Sequence, residues 1–352
     1  MRPLIHGGDI YTPRDTEEPL CDFSANINPL GMPPEVQRAI VEHIPDYAAY
    51  PDPLCRDLRG ALADHHQLNA ANIVCGNGAA DLIFRLVLAR RPRRALVLAP
   101  TFAEYAQALA LVGCSAEHYP LKRARDFALD EGILAAIEPG LDMLFLCNPN
   151  NPTGMPADPA LLQQVLQRCR RCGVLLVVDE CFVDFMAEET RYSLCPQLQN
   201  QPQLCILRAF TKMYAMAGVR LGYLLCGRPA LAEQVRATGQ PWSVSTVAAV
   251  SGIAALKCQQ HRRQTVLLVE KNRRLLTEGL RRLGFTVYPS MANYLLFSAG
   301  DTQLAFKLAQ RGILIRDCRN YEGLQPGDYR VAVRGESDCR RLLAALHQEV
   351  KR

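Results

Sequence analysis

The sequence predicts an α/β fold, a mostly parallel sheet with crossover helices, followed by a smaller α+β part. Three observations predict it. Short apolar runs recur between residues 73 and 226 and alternate with amphipathic stretches, the pattern of buried strands and the helices that cross between them. Near Ser245 this rhythm gives way to a long helical periodicity before strands return. The chain has 352 residues, 49% apolar and 21% charged, enough for two domains with an ordinary globular balance.

In chain order, a polar, proline-containing start precedes the first strand. Ile73–Cys75, Ala95–Ala99, Met143–Cys147, Val174–Val178, Leu204–Leu207 and Leu221–Cys226 read as strands because each is short and almost continuously apolar. Helices fall between or beside them, at Ala79–Arg90, Ala103–Val112, Pro159–Arg171 and Pro229–Thr238, where apolar residues recur at helical spacing. From about Ser245 a helical stretch reaches Leu283, followed by strands Phe285–Tyr288 and Tyr294–Phe297 and helix Gln303–Arg311. Strands near Ile313–Ile315 and Tyr329–Val333 and a last helix, Ser337–Val350, complete the chain. No repeat, low-complexity segment or Gly/Ser linker interrupts it, so a helical boundary and an extensive interface are expected.

Composition excludes several classes of protein. No apolar stretch approaches the ~18–20 residues of a membrane span, since Val174–Val178 is closed by Asp179 and Thr246–Leu256 is too short. The net charge of +5, from 40 Lys and Arg against 35 Asp and Glu, does not call for nucleic acid. Arg90-Arg91-Pro92-Arg93-Arg94 lies between a helix and a strand without interleaved aromatics and reads as a solvated loop. No metal site is expected, because Cys169-x-x-Cys172 lacks two further ligands and His65-His66 diverge on a helix. Fourteen scattered cysteines, with no apolar signal core between Met1 and Tyr11, predict reduced thiols in a cytoplasmic protein.

Four motifs carry chemistry. Cys75-Gly76-Asn77-Gly78-Ala79-Ala80-Asp81 follows a strand and opens a helix, so its N–H groups and helix dipole suit a phosphate. As a dinucleotide fingerprint it is incomplete, with Asp81 at the third glycine position. Asn148-Pro149-Asn150-Asn151-Pro152-Thr153-Gly154 lies beyond a strand's C-terminal end, where open α/β sheets bind ligands, although its composition is also good turn chemistry. Asp179-Glu180 ends the next strand, its carboxylate either solvated or aimed at a cation. Thr211-Lys212, with Arg220 eight residues on, offers either a snorkelling lysine or an amine of lowered pKa suited to a Schiff base.

Taken together and in this order, the motifs resemble the pyridoxal-phosphate enzymes of fold type I, the aspartate aminotransferase superfamily, over nearly the whole chain. The resemblance implies a large domain at residues 46–260 around a mostly parallel seven-stranded sheet. It implies a smaller domain made of residues 1–45 and 261–352. It further implies that Lys212 bonds the cofactor aldehyde, Asp179 pairs with the pyridine nitrogen and Asn151 hydrogen-bonds the ring O3′. Arg220 and the turn Gly76, Asn77, Gly78 and Ala79 would bind the cofactor phosphate, and Phe102 would stack on the ring. Each role agrees with chemistry, since an anion beside the pyridine nitrogen keeps it protonated and preserves the electron sink. Two departures stand out. Phe182 occupies the place of a tyrosine that bonds O3′, and Ala209 that of a phosphate-binding serine for which Thr211 or a water substitutes.

Within the superfamily, histidinol-phosphate aminotransferases have a related Asn-x-Asn-Pro and a Tyr-Pro. His6-Gly7-Gly8-Asp9 together with Phe23-Ser24-Ala25-Asn26-Ile27-Asn28-Pro29-Leu30-Gly31 is more similar to the family of L-threonine O-3-phosphate decarboxylases, as are Pro241-Trp242-Ser243-Val244 and Tyr329-Arg330-Val331-Ala332-Val333-Arg334. That resemblance implies decarboxylation to (R)-1-amino-2-propanol O-2-phosphate for the cobalamin nucleotide loop, with histidinol-phosphate transamination as the alternative. Arg330 would bind the substrate carboxylate, Arg316 helped by His6 its phosphate, and Asn26 would join the substrate site. Tyr50, of Tyr50-Pro51, would reach the cofactor phosphate of a partner subunit, implying a homodimer with shared active sites.

Overall fold

The computed structural model describes residues 6–12 and 18–350. The first five positions of the expected N-terminal arm, and 13–17 within it, lie outside the described residues. The central sheet has seven strands in the order Ile73–Gly76, Gly222–Cys226, Leu204–Ala209, Leu175–Asp179, Met143–Cys147, Arg94–Ala99, Ser115–Pro120. Gly222–Cys226 runs antiparallel to both neighbours while the other pairings are parallel. The connection explains the reversal. Residues 210–221 form turns rather than a crossover helix, and without one the chain returns alongside the strand it has just left.

Both faces of this sheet are covered. Val74, Val97, Phe145, Val177 and Leu207 pack into one apolar cluster and Leu96, Leu144, Leu176, Val178 and Ile206 into another, which is why the strand sequences show continuous rather than alternating apolarity. Ser115–Pro120 was not anticipated. It is an edge strand of polar, partly exposed residues pairing only with Arg94–Ala99, so it carries no apolar run, and its terminal Pro120 is tolerated at an edge.

The long helical stretch is two helices, Thr246–Leu256 and Gln259–Arg282, because Cys258 leaves the helical region with ψ 50°. Ser245 caps the first, its hydroxyl accepting from the Ala248 N–H at 3.1 Å. Its buried face is made of Ala248, Ser251, Gly252 and Ala255, small residues that let helices Pro34–Glu42 and Arg56–His66 approach closely. Of these two helices the sequence announces only the end at His65-His66. A Cβ on Gly252 would stand 2.5 Å from Leu221 and 2.9 Å from Leu58.

Toward the C-terminus the expected strand near Ile313–Ile315 is divided. Ile313–Leu314 pairs in parallel with Cys21–Asp22, while Arg316–Asp317 joins the antiparallel sheet of Asp328–Ala332, Tyr294–Ser298 and Thr286–Val287. The change of sheet at Ile315 sets Arg316 directly opposite Arg330. No helix among the described residues is long and apolar enough to cross a membrane, and all fourteen cysteines are free.

Candidate active site

The parallel strands all end on one edge of the central sheet, and the four motifs are the segments that leave them. Cys147 and Asp179 are register partners, as are Asp179 and Leu207. At the same edge Gly222 stands opposite both Gly76 and Ala209. A cavity of about 380 Å³ opens there, outside the carboxyl ends of the strands as the topology of open α/β sheets favours. Lys212, Asp179, Asn151, Phe102, Ala79, Thr211, Arg220, His6, Asn26, Arg316 and Arg330 all line it.

Lys212 leaves the sheet just beyond Leu204–Ala209. Burial lowers its pKa, and the positive Arg330 and Arg220 lower it further, with Cys181 and Asp179 acting against them. No hydrogen bond or ion pair among the described residues engages its amine, so the residues around it favour a neutral nucleophile. Asp179 is buried and held at both oxygens, Oδ2 accepting from the Tyr105 hydroxyl at 2.6 Å and Oδ1 from the Cys181 N–H at 3.0 Å. Tyr105 is itself fixed by stacking on Phe145, with centroids 4.9 Å apart and planes at 10°. Phe102 also lines the cavity, edge-on to Tyr105 at 5.7 Å.

Gly76, Asn77 and Gly78 do not line the cavity; they form the turn that presents Ala79 to it. The Asn77 N–H is already taken, donating to Asp81 Oδ2 at 3.0 Å. Arg220 lies against this turn, its own backbone at φ 62°, a conformation that non-glycine residues adopt at strained sites. A Cβ on Gly78 would stand 2.6 Å from Arg220 Nη2, and one on Gly222 would stand 2.5 Å from the Ala79 nitrogen. The two glycines therefore clear the space in which a guanidinium and a helix N-terminus meet, an arrangement that suits a phosphate monoester.

Across the cavity Arg330 donates from Nη2 to the Ser24 carbonyl at 2.8 Å and from Nη1 to Asn151 Oδ1, leaving its buried Nε without a partner. Arg316 is buried beside it and donates from Nη2 to Asn320 at 2.8 Å. Two arginines facing each other across a strand pair repel, and a substrate with two anionic groups relieves that repulsion. Asn26 is buried with Oδ1 unpartnered, its backbone carbonyl accepting from Asn293 Nδ2 at 3.1 Å. Tyr50 stands apart from this cavity, 81% exposed and stacked on Trp242 at 4.7 Å.

Tyr105 and Glu104 were missed from sequence. Both open helix Glu104–Leu111, where an aromatic reads as core and an acid as helix-dipole compensation. Tyr105→Phe is expected to leave Asp179 Oδ2 without its donor and to reduce kcat by roughly tenfold, the scale of a ~1–1.5 kcal/mol hydrogen bond. Kinetics and cofactor titration check this: a variant with unchanged kcat removes Tyr105 from the machinery.

The model of the family "Aminotransferase class I and II" matches residues 18–346. The chain is 41% identical over 348 residues to a threonine-phosphate decarboxylase of Salmonella typhimurium, covering 97% of this chain and 95% of that protein. Its fold matches a histidinol-phosphate aminotransferase from Clostridium acetobutylicum with a TM-score of 0.89 and 28% identity, over 94% of this chain and 99% of that one. It also matches a histidinol-phosphate aminotransferase from Sinorhizobium meliloti, solved in complex with pyridoxal-5'-phosphate, with a TM-score of 0.82 and 25% identity over 93% and 90% of the two chains.

Proposed function

The chain belongs to the class I and II aminotransferase family, and from that premise we propose that it is a pyridoxal-phosphate-dependent decarboxylase of L-threonine O-3-phosphate. The observation that carries this reading is the buried pair Arg316 and Arg330, set side by side in the cavity that holds Lys212. A short amino acid with a carboxylate at one end and a phosphate at the other places one anion on each arginine. The decarboxylase relative, at 41% identity, favours loss of CO₂ over amino transfer.

Pyridoxal phosphate, when bound, supplies the electron sink for the pair left on the substrate Cα. Lys212 would bond its aldehyde and yield that bond to the substrate's own amine; the freed Lys212 amine, kept weakly basic by burial, would take up the proton the substrate ammonium releases and return it to Cα. Asp179 would hold the proton on the ring nitrogen, and Asn151 would bond O3′ without help from Phe182. Arg220, Thr211 and Ala79, presented by the Gly76–Gly78 turn, would take the phosphate, and Phe102 would cover the ring. Arg316 with His6 and Asn26 orients the distal phosphate. Arg330 holds the carboxylate with a guanidinium that already serves Asn151 and Ser24. A partly committed arginine orients the carboxylate without over-stabilising a charge that the transition state loses.

The direct test is to incubate the holoenzyme with L-threonine O-3-phosphate and no keto acid. CO₂ release is expected. Turnover of histidinol phosphate with 2-oxoglutarate, and no CO₂ from phosphothreonine, would establish the aminotransferase reading instead.

The proposal extends to a cytoplasmic homodimer, each subunit with a cofactor-holding domain at residues 46–260 and a smaller one from 1–45 and 261–352. An exposed aromatic pair, Tyr50 on Trp242, suits an interface in which Tyr50 reaches the partner's cofactor phosphate. Mixing Tyr50→Phe with Lys212→Ala subunits is expected to recover activity through hybrid dimers. A fully active monomer would exclude shared sites.

A further inference from the structure

Resting on that reading, we propose that Glu104 is a positioning and specificity residue, a latch that holds His6 over the cavity as the second donor to the substrate phosphate. His6 Nε2 lies 2.7 Å from Glu104 Oε1. Glu104 is 8% exposed, and its Oε2 is buried without a hydrogen-bond partner. Both residues line the same cavity as Arg316. An unpaired carboxylate in a cavity that admits an anion would repel it, so its tolerance there needs a donor that covers it.

The backbone behind His6 is fixed. Gly7 lies so close to Ser24 that a Cβ would stand 2.3 Å from the Ser24 carbonyl oxygen. The Gly8 N–H donates to Ser24 Oγ at 2.7 Å, and that hydroxyl donates to Asp22 Oδ1 at 2.6 Å. This anchoring places the imidazole 6.1 Å from the Phe102 ring. His6 and Phe102 also face a second cavity, of about 290 Å³, bordered by Gln107, His118 and Asn320. The imidazole is thus a partition between the catalytic cavity and an outer chamber, and Glu104 is its catch.

An imidazole has two nitrogens. With Nε2 engaged by Glu104, Nδ1 is the nitrogen left to meet an incoming phosphate. Glu104 therefore fixes the orientation in which Nδ1 of His6 meets a phosphate, and an unphosphorylated amino acid gains nothing from it.

The test compares wild-type, E104A, E104Q, H6A and H6A/E104A holoenzymes on phosphothreonine and on L-threonine. Hydrogen exchange of the amides of residues 7–10 is measured with and without inorganic phosphate. E104A and H6A are each expected to raise KM for phosphothreonine about tenfold, the scale of one hydrogen bond to a charged group, with kcat less affected and a smaller loss on threonine. The double variant is expected to be no worse than H6A alone. E104Q is expected to fall between wild type and E104A, because its amide oxygen still accepts from Nε2. Exchange at residues 7–10 should quicken in E104A. Equal losses on both substrates, or losses additive with H6A, would overturn the latch. If wild type releases no CO₂ from phosphothreonine, the functional reading fails. In that event an E104A protein with unaltered exchange and unaltered phosphate affinity overturns the latch independently.

Discussion

Lys212→Ala protein is expected to lose decarboxylation by at least about a thousandfold, the scale on which removing a covalent catalyst's reacting group is felt. Reconstituted with pyridoxal phosphate, it should lose the absorption band that borohydride abolishes in the wild type, and borohydride should fix the cofactor to the peptide containing Lys212 in the wild type alone. Its stability should be equal or higher. Burial and the positive Arg330 and Arg220 disfavour an ammonium at this position, so truncation removes an unfavourable charge, the usual relation between a functional residue and its scaffold. Labelling at any other lysine would remove Lys212 from this role.

Arg208→Ala is expected to have the largest effect on folding. Arg208 is 3% exposed and bridges three carboxylates, Glu180 at 2.7 Å, Asp184 at 3.1 Å and Glu189 at 2.7 Å. Ser193 Oγ and the Leu194 N–H bond the remaining positions of Glu180. Removing the arginine leaves Glu180 and Asp184 without their cation, Glu189 keeping Arg262, at a cost of about 3–5 kcal/mol and a fall in Tm on the order of 10 °C.

The deficit should depend on pH with a definite sign. Burial pushes the carboxyls of Glu180 and Asp184 above their ordinary values, opposed by Arg208, and losing Arg208 raises them further. Between the unfolded pKa, about 4, and the raised folded value, the native state binds more protons, so the variant's stability falls as pH rises through that window. Thermal unfolding at pH 5 and pH 8 should show the larger deficit at pH 8. An equal deficit at the two values would mean that the cluster is not held by charge. Because Glu180 follows Asp179 and Arg208 precedes Ala209 on adjacent strands, the cluster also braces the edge on which the active site stands.

Much of the site was legible because its motifs are local. A strand end followed by Gly76-Asn77-Gly78, by Asn150-Asn151 or by Thr211-Lys212 announces itself within a few residues, through turn chemistry at the end of an apolar run. Asn77 marks the limit of such reading, since its N–H goes to Asp81 rather than to the cavity. Glu180 and Arg208 were equally visible as residues but not as partners, for no local period links positions on neighbouring strands.

By itself the sequence determined the alternation of strands and helices, the place where that alternation changes, and the order of the lysine, aspartate, asparagine and arginine along the chain. These follow from hydrophobic period and backbone preference, which act over a few residues. Only the tertiary structure decided the polar edge strand Ser115–Pro120, held by its pairing with Arg94–Ala99 rather than by burial of its own. It alone decided the change of sheet at Ile315 that brings Arg316 beside Arg330, the seating of Asp179 by Tyr105, and the meeting of His6 with Glu104 across nearly a hundred residues. Each of these joins groups far apart along the chain, and such contacts form only when packing of the whole core has met the entropy of closing the intervening loop.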